Sequence, residues 1–348
     1  MLSVSHGEGV NFASGEVLGF QPEFHQSAAE IISINDIWRA ATRISPYIKR
    51  TPTLTDTFLC ERLGTNVYLK HELLQRTGAF KVRGAFNKML QLTDDERERG
   101  VVAVSAGNHA QAVAYAAKVL GLRSVILMPE NTPDNYVQNT LKHGAEVRFF
   151  PSLACAFDAA SSFESDGFTY IHPFDDRDVI AGQGTIGLEI LEDVPDVTDV
   201  IVSIGGGGLS GGVGCAIRSL RPSVNVWGVE TRGAHSMSAA LDAGEIVELP
   251  EITSIARTLG AARVGALNFE LAKEYLSGVT VVDDHEAVAD MFCLLEKAKV
   301  LTEPATSCTL AAAERLRHNF TPDSNVVLIL CGGNIALDDL FSYRNYVA

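Results

Sequence analysis

The sequence lacks three features that would point to a membrane, an export route or a polyanionic partner. No apolar run reaches 18 residues, and the first residues show no basic leader followed by an apolar core. Basic residues are the minority, 28 Lys and Arg against 43 Asp and Glu, which gives a formal net charge of −15. A field of that sign repels nucleic acids and anionic membranes. A small polar ligand is therefore the expected partner.

Paired cysteines are also missing. No two cysteines form a C-x-x-C pair, and they are scattered along the chain at Cys60, Cys155, Cys215, Cys293, Cys308 and Cys331. This spacing argues against a zinc site or a disulfide scaffold and fits a reducing compartment. With 348 residues, 46% of them hydrophobic, the chain is long enough for two cores or one large divided core. We therefore expect a cytoplasmic globular protein.

Strand-like apolar runs alternate with helical periodicity from about residue 66 onward. The run VVAVSAGNHAQAVAYAAKVLG predicts a buried strand, a tight turn and an Ala-rich helix, and NVVLILCGGN is apolar enough for a central parallel strand. This alternation predicts the α/β class, with open, parallel, twisted sheets and flanking helices. Residues 1 to 31 are rich in Ser, Gly and Glu without clear periodicity, which predicts a disordered tail.

Three loops at predicted strand ends carry unusual residues. In open parallel sheets, ligands bind beyond the carboxyl ends of the strands. The run GGGGLSGG (205–212) can gather backbone N–H groups into a phosphate site. The turn SAGNHAQ (105–111) combines a hydroxyl, an amide and an imidazole, and such a turn can bind a carboxylate. The third loop, CGGN (331–334), follows a buried strand.

Each loop also has a purely structural interpretation. The glycines could form a flexible turn, Asn108 and His109 could satisfy local backbone groups, and Cys331 could be an inert core thiol. A rival functional interpretation is an NAD-binding oxidoreductase. Under it the glycines match G-x-G-x-x-G and an acid at the end of the next strand holds the ribose, which assigns Gly206, Gly208, Gly211 and Glu230.

Lys81, in the stretch QRTGAFKVRGA, decides between these interpretations. Most lysines are solvated surface charges. Here the neighbours supply little polar surface, because they are Ala79, Phe80, Val82, Gly84 and Ala85. Apolar surroundings lower the pKa of an ammonium, and the neutral amine can form a Schiff base with an aldehyde. An aldehyde cofactor with a phosphate would use the glycine loop as well, whereas a nicotinamide cofactor would leave Lys81 without a role.

Four motifs, in this order, resemble those of the fold-type II pyridoxal-phosphate enzymes, specifically the serine/threonine dehydratase (threonine ammonia-lyase) and serine racemase family. They are TGAFKVRGA, SAGNHAQ, GGGGLSGG and CGGN, and the likeness covers about residues 33 to 338. The resemblance implies a large cofactor-binding domain of residues 32–91 and 174–348 and a small mobile domain of residues 92–173. Pyridoxal 5′-phosphate would lie between them, in a homodimer or homotetramer.

The resemblance also implies a role for individual residues. Lys81 would hold the aldehyde carbon, Phe80 would pack beside the ring, Asn108 would hydrogen-bond the phenolic oxygen, and Cys331 would face the pyridine nitrogen. The phosphate would bind backbone amides of Gly205, Gly206, Gly207, Gly208 and Leu209. The substrate carboxylate would bind the loop formed by Ser105, Ala106, Asn108 and His109.

The implied reaction is loss of water from a hydroxy amino acid. Lys81 would remove the α-proton, and the products would be a 2-keto acid and ammonia. Racemases that resemble this chain have a serine where Ala106 stands, and alanine cannot transfer a proton, so elimination is favoured over racemisation. The expected substrates are L-threonine, L-serine or a 3-substituted serine such as 3-phenylserine or 3-hydroxyaspartate, with amino-acid racemisation as the alternative.

Some positions depart from the resembled family. Where relatives have a metal site made of Glu, a backbone carbonyl and Asp, this chain has Glu230, Ala234 and Ser236. One carboxylate in place of two favours a monovalent cation, or no ion, over magnesium or calcium. Tyr136 stands where many relatives have lysine, and the segments TLGAARVGAL (258–267) and EPATSCTLAA (303–312) also differ. These departures lie near the expected substrate or ion region, and they keep L-serine and the 3-substituted serines open beside L-threonine.

Overall fold

The computed structural model describes residues 27 to 347, and this part of the chain contains ten β-strands. They are β1 (Thr53–Thr55), β2 (Asn66–Lys70), β3 (Val101–Val104), β4 (Ser124–Pro129), β5 (Glu146–Phe150), β6 (Thr169–Tyr170), β7 (Asp199–Ser203), β8 (Asn225–Thr231), β9 (Gly278–Val282) and β10 (Asn325–Ile329). One sheet has the order β1-β2-β10-β7-β8-β9 and the other β5-β4-β3-β6. Only β1 and β2 pair antiparallel. The predicted α/β class with two open, mainly parallel sheets is confirmed.

Fifteen α-helices accompany the sheets in the described part of the chain. They are α1 (Ala28–Ile31), α2 (Ile34–Ile44), α3 (Thr57–Leu63), α4 (Val82–Met89), α5 (Asp94–Arg99), α6 (Asn108–Leu120), α7 (Asp134–Leu141), α8 (Leu153–Ser165), α9 (Arg177–Asp193), α10 (Gly208–Leu220), α11 (Ser236–Ala243), α12 (Ala266–Tyr275), α13 (Asp284–Cys293), α14 (Pro304–Leu316) and α15 (Leu337–Tyr343). None of the helices within residues 27–347 is both long and apolar enough to cross a membrane.

The six-stranded sheet has a hydrophobic core on each face. Successive side chains of a strand point to opposite faces, so Val327 of β10 packs with α9 and α10 while Leu328 packs with α14. Burial on both faces explains why β10 is apolar throughout. The four-stranded sheet uses residues 101–170, and the six-stranded sheet uses residues 53–70 and 199–329. The predicted division into a large domain and a mobile small domain stays a prediction.

Helix α9 packs against α4 and α10 with almost no side chains between them. A Cβ atom on Gly182 of α9 would lie 2.7 Å from the Cα atom of Gly84 on α4. A Cβ atom on Gly212 of α10 would lie 2.7 Å from the backbone nitrogen of Gly184 on α9. Only glycine permits such close approach at these positions. The helix that follows Lys81 and the helix that follows the glycine loop are therefore held by the same neighbour.

The predicted tail is shorter than the sequence suggests. Residues 1 to 26 of it lie outside the described residues. Ala28–Ile31 form α1, and Ala28 and Ile31 are buried in a cluster with Ile37 of α2 and Ile180 of α9. The prediction of a tail up to residue 31 is therefore wrong for residues 28–31, because they form a helix and the side chains of Ala28 and Ile31 already belong to the core.

Candidate active site

A cavity of about 1000 Å³ lies at the residues that follow β3, β7 and β10. All the residues predicted to bind cofactor or substrate line it, namely Phe80, Lys81, Ser105, Ala106, Asn108, His109, Gly205, Gly206, Gly207, Gly208, Leu209 and Cys331. The loops meet because the carboxyl ends of parallel strands lie at the same edge of a sheet. The structure thus brings four separate sequence motifs to one cavity.

Lys81 is the residue that directly precedes α4. Its Nζ atom donates a hydrogen bond to the backbone oxygen of Pro173 at 2.6 Å and lies 5.2 Å from the centroid of the Phe80 ring. Burial lowers the pKa of the Lys81 amine to about 8, although the nearby Cys331 and Glu303 act in the opposite direction. About a tenth of the amine is therefore neutral, and hence nucleophilic, at pH 7, far more than for an ordinary lysine.

The glycine loop joins β7 to the first turn of α10. Gly207 has a φ of +98°, which favours glycine. A Cβ atom on Gly206 would lie 2.3 Å from the ring of Phe174, so this position also requires glycine. The first N–H groups of a helix have no partner within it, and the 13-residue α10 points its dipole at the loop. The loop can therefore hold an anion such as a phosphate.

The turn between β3 and α6 presents a fixed amide to the cavity. The side-chain nitrogen of Asn108 donates to Glu303 Oε1, and its side-chain oxygen accepts from the side-chain nitrogen of Asn334, each at 2.7 Å. These two partners fix the orientation of the Asn108 amide. Within the same turn, Gly107 N–H donates to Ser105 Oγ at 3.1 Å.

His109 is oriented away from a role as a cation. Its Nε2 atom lies 2.8 Å from the backbone oxygen of Ile171, which can only accept, so Nε2 carries the proton. Burial, with Lys81 nearby, lowers the pKa of the His109 ring to about 3. The ring is therefore neutral. Its Nδ1 atom is buried and has no hydrogen-bond partner in the described part of the chain.

Cys331 presents a neutral thiol to the cavity. Burial and the nearby Glu303 raise the pKa of this thiol to about 12. The position is fixed by the lysine stretch, because Phe80 N–H donates to the backbone oxygen of Cys331 at 3.0 Å. A neutral thiol can donate a weak hydrogen bond to an unprotonated ring nitrogen without adding a charge.

Glu303 is a cavity residue whose role the sequence does not predict. Its carboxyl is buried beside Asn108 and lines the cavity. Burial raises the pKa of Glu303 to about 7, against the effect of hydrogen bonds from Asn108 and Thr258. The Glu-Pro pair at the start of α14 is a visible helix-start signal. The contact with Asn108, which is 195 residues away, has no local signal.

The residues predicted for a cation or a ribose lie elsewhere. Glu230 is fully buried, and its two carboxylate oxygens accept the N–H groups of Met237 and Ser238 at 2.9 and 2.8 Å. The carboxylate therefore caps the start of α11 and is absent from the cavity wall, so the NAD-binding interpretation is wrong. Within residues 27–347, no three His, Cys, Asp or Glu side chains are grouped to hold a metal ion. A cation at Glu230, Ala234 and Ser236 stays a prediction.

Comparisons with known proteins agree with this geometry. A family model described as pyridoxal-phosphate dependent enzyme matches residues 44–332. The L-threonine ammonia-lyase of Thermotoga maritima is 41% identical over 307 residues, which cover 88% of this chain and 76% of that protein. The catabolic L-threonine dehydratase TdcB of Staphylococcus aureus is 38% identical over 316 residues, 89% of this chain and 91% of that protein.

Solved structures show the same relationship. Maize serine racemase superposes with a TM-score of 0.86 at 35% identity, covering 90% of this chain and 97% of that one. The family model, the sequence relatives and the shared fold all extend over most of the chain. The chain therefore belongs to the pyridoxal-phosphate dependent enzymes of fold type II and uses pyridoxal 5′-phosphate as its cofactor.

Proposed function

We propose that this protein is a dehydratase that eliminates water from a β-hydroxy amino acid and releases a 2-keto acid and ammonia. One observation carries the proposal. The amine of Lys81 faces the cavity with a lowered pKa, while position 106 offers only a methyl group. The site thus has Lys81 as the base for the α-proton, and it has no side-chain proton donor at position 106. Relatives named as threonine ammonia-lyase and threonine dehydratase support the same reaction.

The residues around the cavity fit pyridoxal 5′-phosphate. The glycine loop, where a Cβ atom at Gly206 would collide with Phe174, leaves room for a phosphate on backbone N–H groups of 205–209. Asn108 would bind the phenolic oxygen, Phe80 would pack beside the ring, and Cys331 would face the pyridine nitrogen. When bound, the cofactor supplies an electron sink for negative charge on the substrate α-carbon.

The protein's own groups then bind the substrate and move the proton. The turn of Ser105, Ala106, Asn108 and neutral His109 holds the substrate carboxylate with its N–H groups and side chains. Lys81 takes the α-proton at Nζ, and hydrogen bonding to Pro173 holds that atom in place. The neutral Cys331 thiol leaves the ring without an added charge, which favours elimination over transamination.

The cavity wall can accept more than one kind of substrate side chain. L-Threonine, L-serine and 3-substituted serines all satisfy the chemistry. The cavity wall carries an exposed apolar pair, Leu153 and Phe157, and also two arginines, Arg257 and Arg263. An aromatic or a carboxylate group on the β-carbon would each find a partner there. 3-Phenylserine and 3-hydroxyaspartate therefore belong in any substrate panel.

The test is a keto-acid assay of the purified, cofactor-loaded protein across serine, threonine, 3-hydroxyaspartate and 3-phenylserine. We expect keto acid from at least one substrate and a loss of about 10³-fold in Lys81→Ala. Unchanged keto-acid formation in Lys81→Ala would show that the assigned mechanism is wrong. Amino-acid racemisation is the second candidate, favoured by the likeness to maize serine racemase. A D-enantiomer that forms faster than keto acid would establish it instead.

We also infer that the protein is a cytoplasmic homodimer or homotetramer whose partner is a small amino acid, with no nucleic acid or membrane partner. Six free cysteines in the described chain support a reducing compartment. Analytical ultracentrifugation of the cofactor-loaded protein measures the number of subunits.

A further inference from the structure

The hydroxyl of Thr306 contacts both Cys331 and Gly332. Its Oγ1 atom lies 3.1 Å from Cys331 Sγ, 2.7 Å from the backbone oxygen of Gly332 and 2.9 Å from the backbone nitrogen of Gly332. Thr306 is fully buried in the first turn of α14, so the hydroxyl cannot exchange these partners for bulk water. Position 306 lies in the segment EPATSCTLAA, one of the segments that depart from the resembled family.

The geometry limits how the hydrogen bonds can be arranged. A hydroxyl has one proton and two acceptor sites. Gly332 N–H donates to one acceptor site of the hydroxyl. The hydroxyl proton has two acceptors within reach, the Gly332 oxygen at 2.7 Å and Cys331 Sγ at 3.1 Å, and a bifurcated hydrogen bond serves both. A sulfur that accepts from Thr306 keeps its own proton for the cavity, since the backbone oxygen of Ala305 is 3.8 Å away.

The sulfur of Cys331 is therefore held beside the Thr306 hydroxyl. A second hydroxyl, that of Ser203, lies 3.6 Å from the sulfur of Cys308 and also hydrogen-bonds the Cys331 thiol. Thr306 differs from Ser203 because it bonds the backbone of Gly332 as well. Thr306 thus fixes both the sulfur and the backbone that carries it.

We propose that Thr306 is a positioning residue that holds Cys331 Sγ against the cavity wall and so sets the hydrogen bond between the thiol and the pyridine nitrogen of pyridoxal 5′-phosphate. The inference rests on the proposed function, which assigns Cys331 to that nitrogen. A purely structural role, in which Thr306 supports only the Gly332 backbone, makes a different prediction, because it does not require the thiol.

The experiment compares three variants loaded with pyridoxal phosphate that carries ¹⁵N at the ring nitrogen. Thr306→Val keeps the shape and removes the hydroxyl, and Thr306→Ser keeps the hydroxyl. Thr309→Val is the matched control, because Thr309 is also fully buried on α14 and bonds the backbone oxygen of Thr306 at 2.8 Å. The measurements are the ¹⁵N chemical shift and the cofactor dissociation constant.

We expect Thr306→Val to move the ¹⁵N signal toward that of a pyridine without a hydrogen bond and to weaken cofactor binding by ~5- to 10-fold. Thr306→Ser stays within ~2-fold of the unaltered protein, and Thr309→Val leaves the ¹⁵N signal unchanged. An unchanged signal in Thr306→Val, with the fold intact by circular dichroism, overturns the proposal. If Thr306→Val does not fold, a signal in Thr306→Ser unlike that of the unaltered protein overturns it as well.

A double-mutant cycle with Cys331→Ala separates the two roles. If Thr306 acts through the thiol, Thr306→Val weakens cofactor binding in the unaltered protein and not in Cys331→Ala. Equal weakening in both backgrounds assigns Thr306 to the Gly332 backbone alone and overturns the inference. Intact keto-acid formation beside a negative ¹⁵N result removes only this inference. An unaltered protein that forms no keto acid removes the proposed function itself.

Discussion

Two lysines eleven positions apart show what separates a structural amine from a reactive one. Lys70 is fully buried at the end of β2, and its Nζ atom lies 2.7 Å from Glu189 Oε2 and 2.8 Å from the backbone oxygen of Thr51. Lys81 Nζ has the backbone oxygen of Pro173 and forms no ion pair within the described residues. Lys70 is fully buried, and Lys81 is half-buried at the cavity wall. The difference is that Lys70 forms an ion pair with a carboxylate and Lys81 does not, and burial lowers the pKa of the Lys81 amine.

The buried cations near Lys81 in the chain are paired with carboxylates. Arg83, two residues later, is fully buried and binds Glu72 at 2.7 Å and Glu189 at 2.7 Å. Glu189 thus serves Arg83 and Lys70 together. A buried charge without a partner costs several kcal/mol, which explains why each cation of this cluster has a carboxylate within the cluster. Lys81, which has no ion pair within residues 27–347, lies outside this cluster and lines the cavity.

The largest expected effect comes from keeping the charge of Lys81 and removing its ability to become neutral. Lys81→Arg places a guanidinium, which stays protonated, where an amine must lose its proton. Keto-acid formation should fall by ~10³-fold or more. Steady-state rates with the best substrate of the panel measure this loss. A Lys81→Arg variant within tenfold of the unaltered rate would contradict the role of Lys81 as base.

The converse change, at Lys70, should act on stability. Lys70→Met removes one cation from Glu189 and one from Asp193, which keep Arg83 and Arg50, and leaves the buried Thr51 oxygen without its donor. The free energy of unfolding should therefore drop by ~1–2 kcal/mol. Urea unfolding measures it, and Lys118→Met, at an exposed lysine of α6, is the control with an expected change within ~0.5 kcal/mol. Activity per folded molecule should survive in Lys70→Met. Its loss would mean that the two lysines do not have separate roles.

The pH dependence of labelling offers a finer test of the comparison. With a pKa of about 8, Lys81 in the cofactor-free protein gains neutral amine as pH rises to that value. Its acylation rate should rise ~10-fold from pH 7 to pH 9 and then level off, whereas an ordinary lysine rises ~100-fold over the same interval. Brief acetic anhydride labelling, followed by peptide mass spectrometry, measures both. A Lys81 rate that keeps rising above pH 9 would place its pKa in the ordinary range.

The smallest expected effect comes from adding a second proton donor to the cavity. Ala106→Ser places a hydroxyl at the cavity wall, where the present chain has a methyl group. Keto-acid formation should stay within ~3-fold, and the D-enantiomer of the substrate should become detectable. Chiral chromatography of the reaction mixture measures it. Absence of the D-enantiomer in a folded, active Ala106→Ser protein would show that the missing hydroxyl is not what limits racemisation.

The sequence is informative wherever the chemistry is local. The glycine run, the Lys81 stretch and the Cys331 loop can each be interpreted from residues a few positions away. The alternation of strand and helix patterns predicts the parallel sheets. The α/β class and the cofactor were therefore predictable. The hydrogen bond from His109 Nε2 to the Ile171 oxygen, 62 positions away, has no local signal, and the role of His109 at the substrate carboxylate stays a prediction.

Residues that matter through distant contacts were not predictable. Glu303 lines the cavity beside Asn108, and Thr306 contacts Cys331 and Gly332, because α14 packs against the end of β10. Pro173 lies 92 residues from Lys81 in the chain. Nothing in the composition near these residues signals such contacts, since they depend on how the sheets and helices pack. The tail was misjudged at Ala28–Ile31 for the same reason.

The backbone-to-backbone packing of α9 has a consequence for how this enzyme can change. Because glycines place α9 directly against α4 and α10, main-chain atoms set the spacing between the lysine and the phosphate loop. Substitutions that change side-chain volume elsewhere in the core leave that spacing unaltered. New substrate preferences are thus most accessible on α8, where Leu153 and Phe157 face the cavity and touch none of these helices' contact glycines. The glycine contacts of α9 therefore constrain the cofactor site, whereas the cavity-facing residues of α8 can change with the substrate.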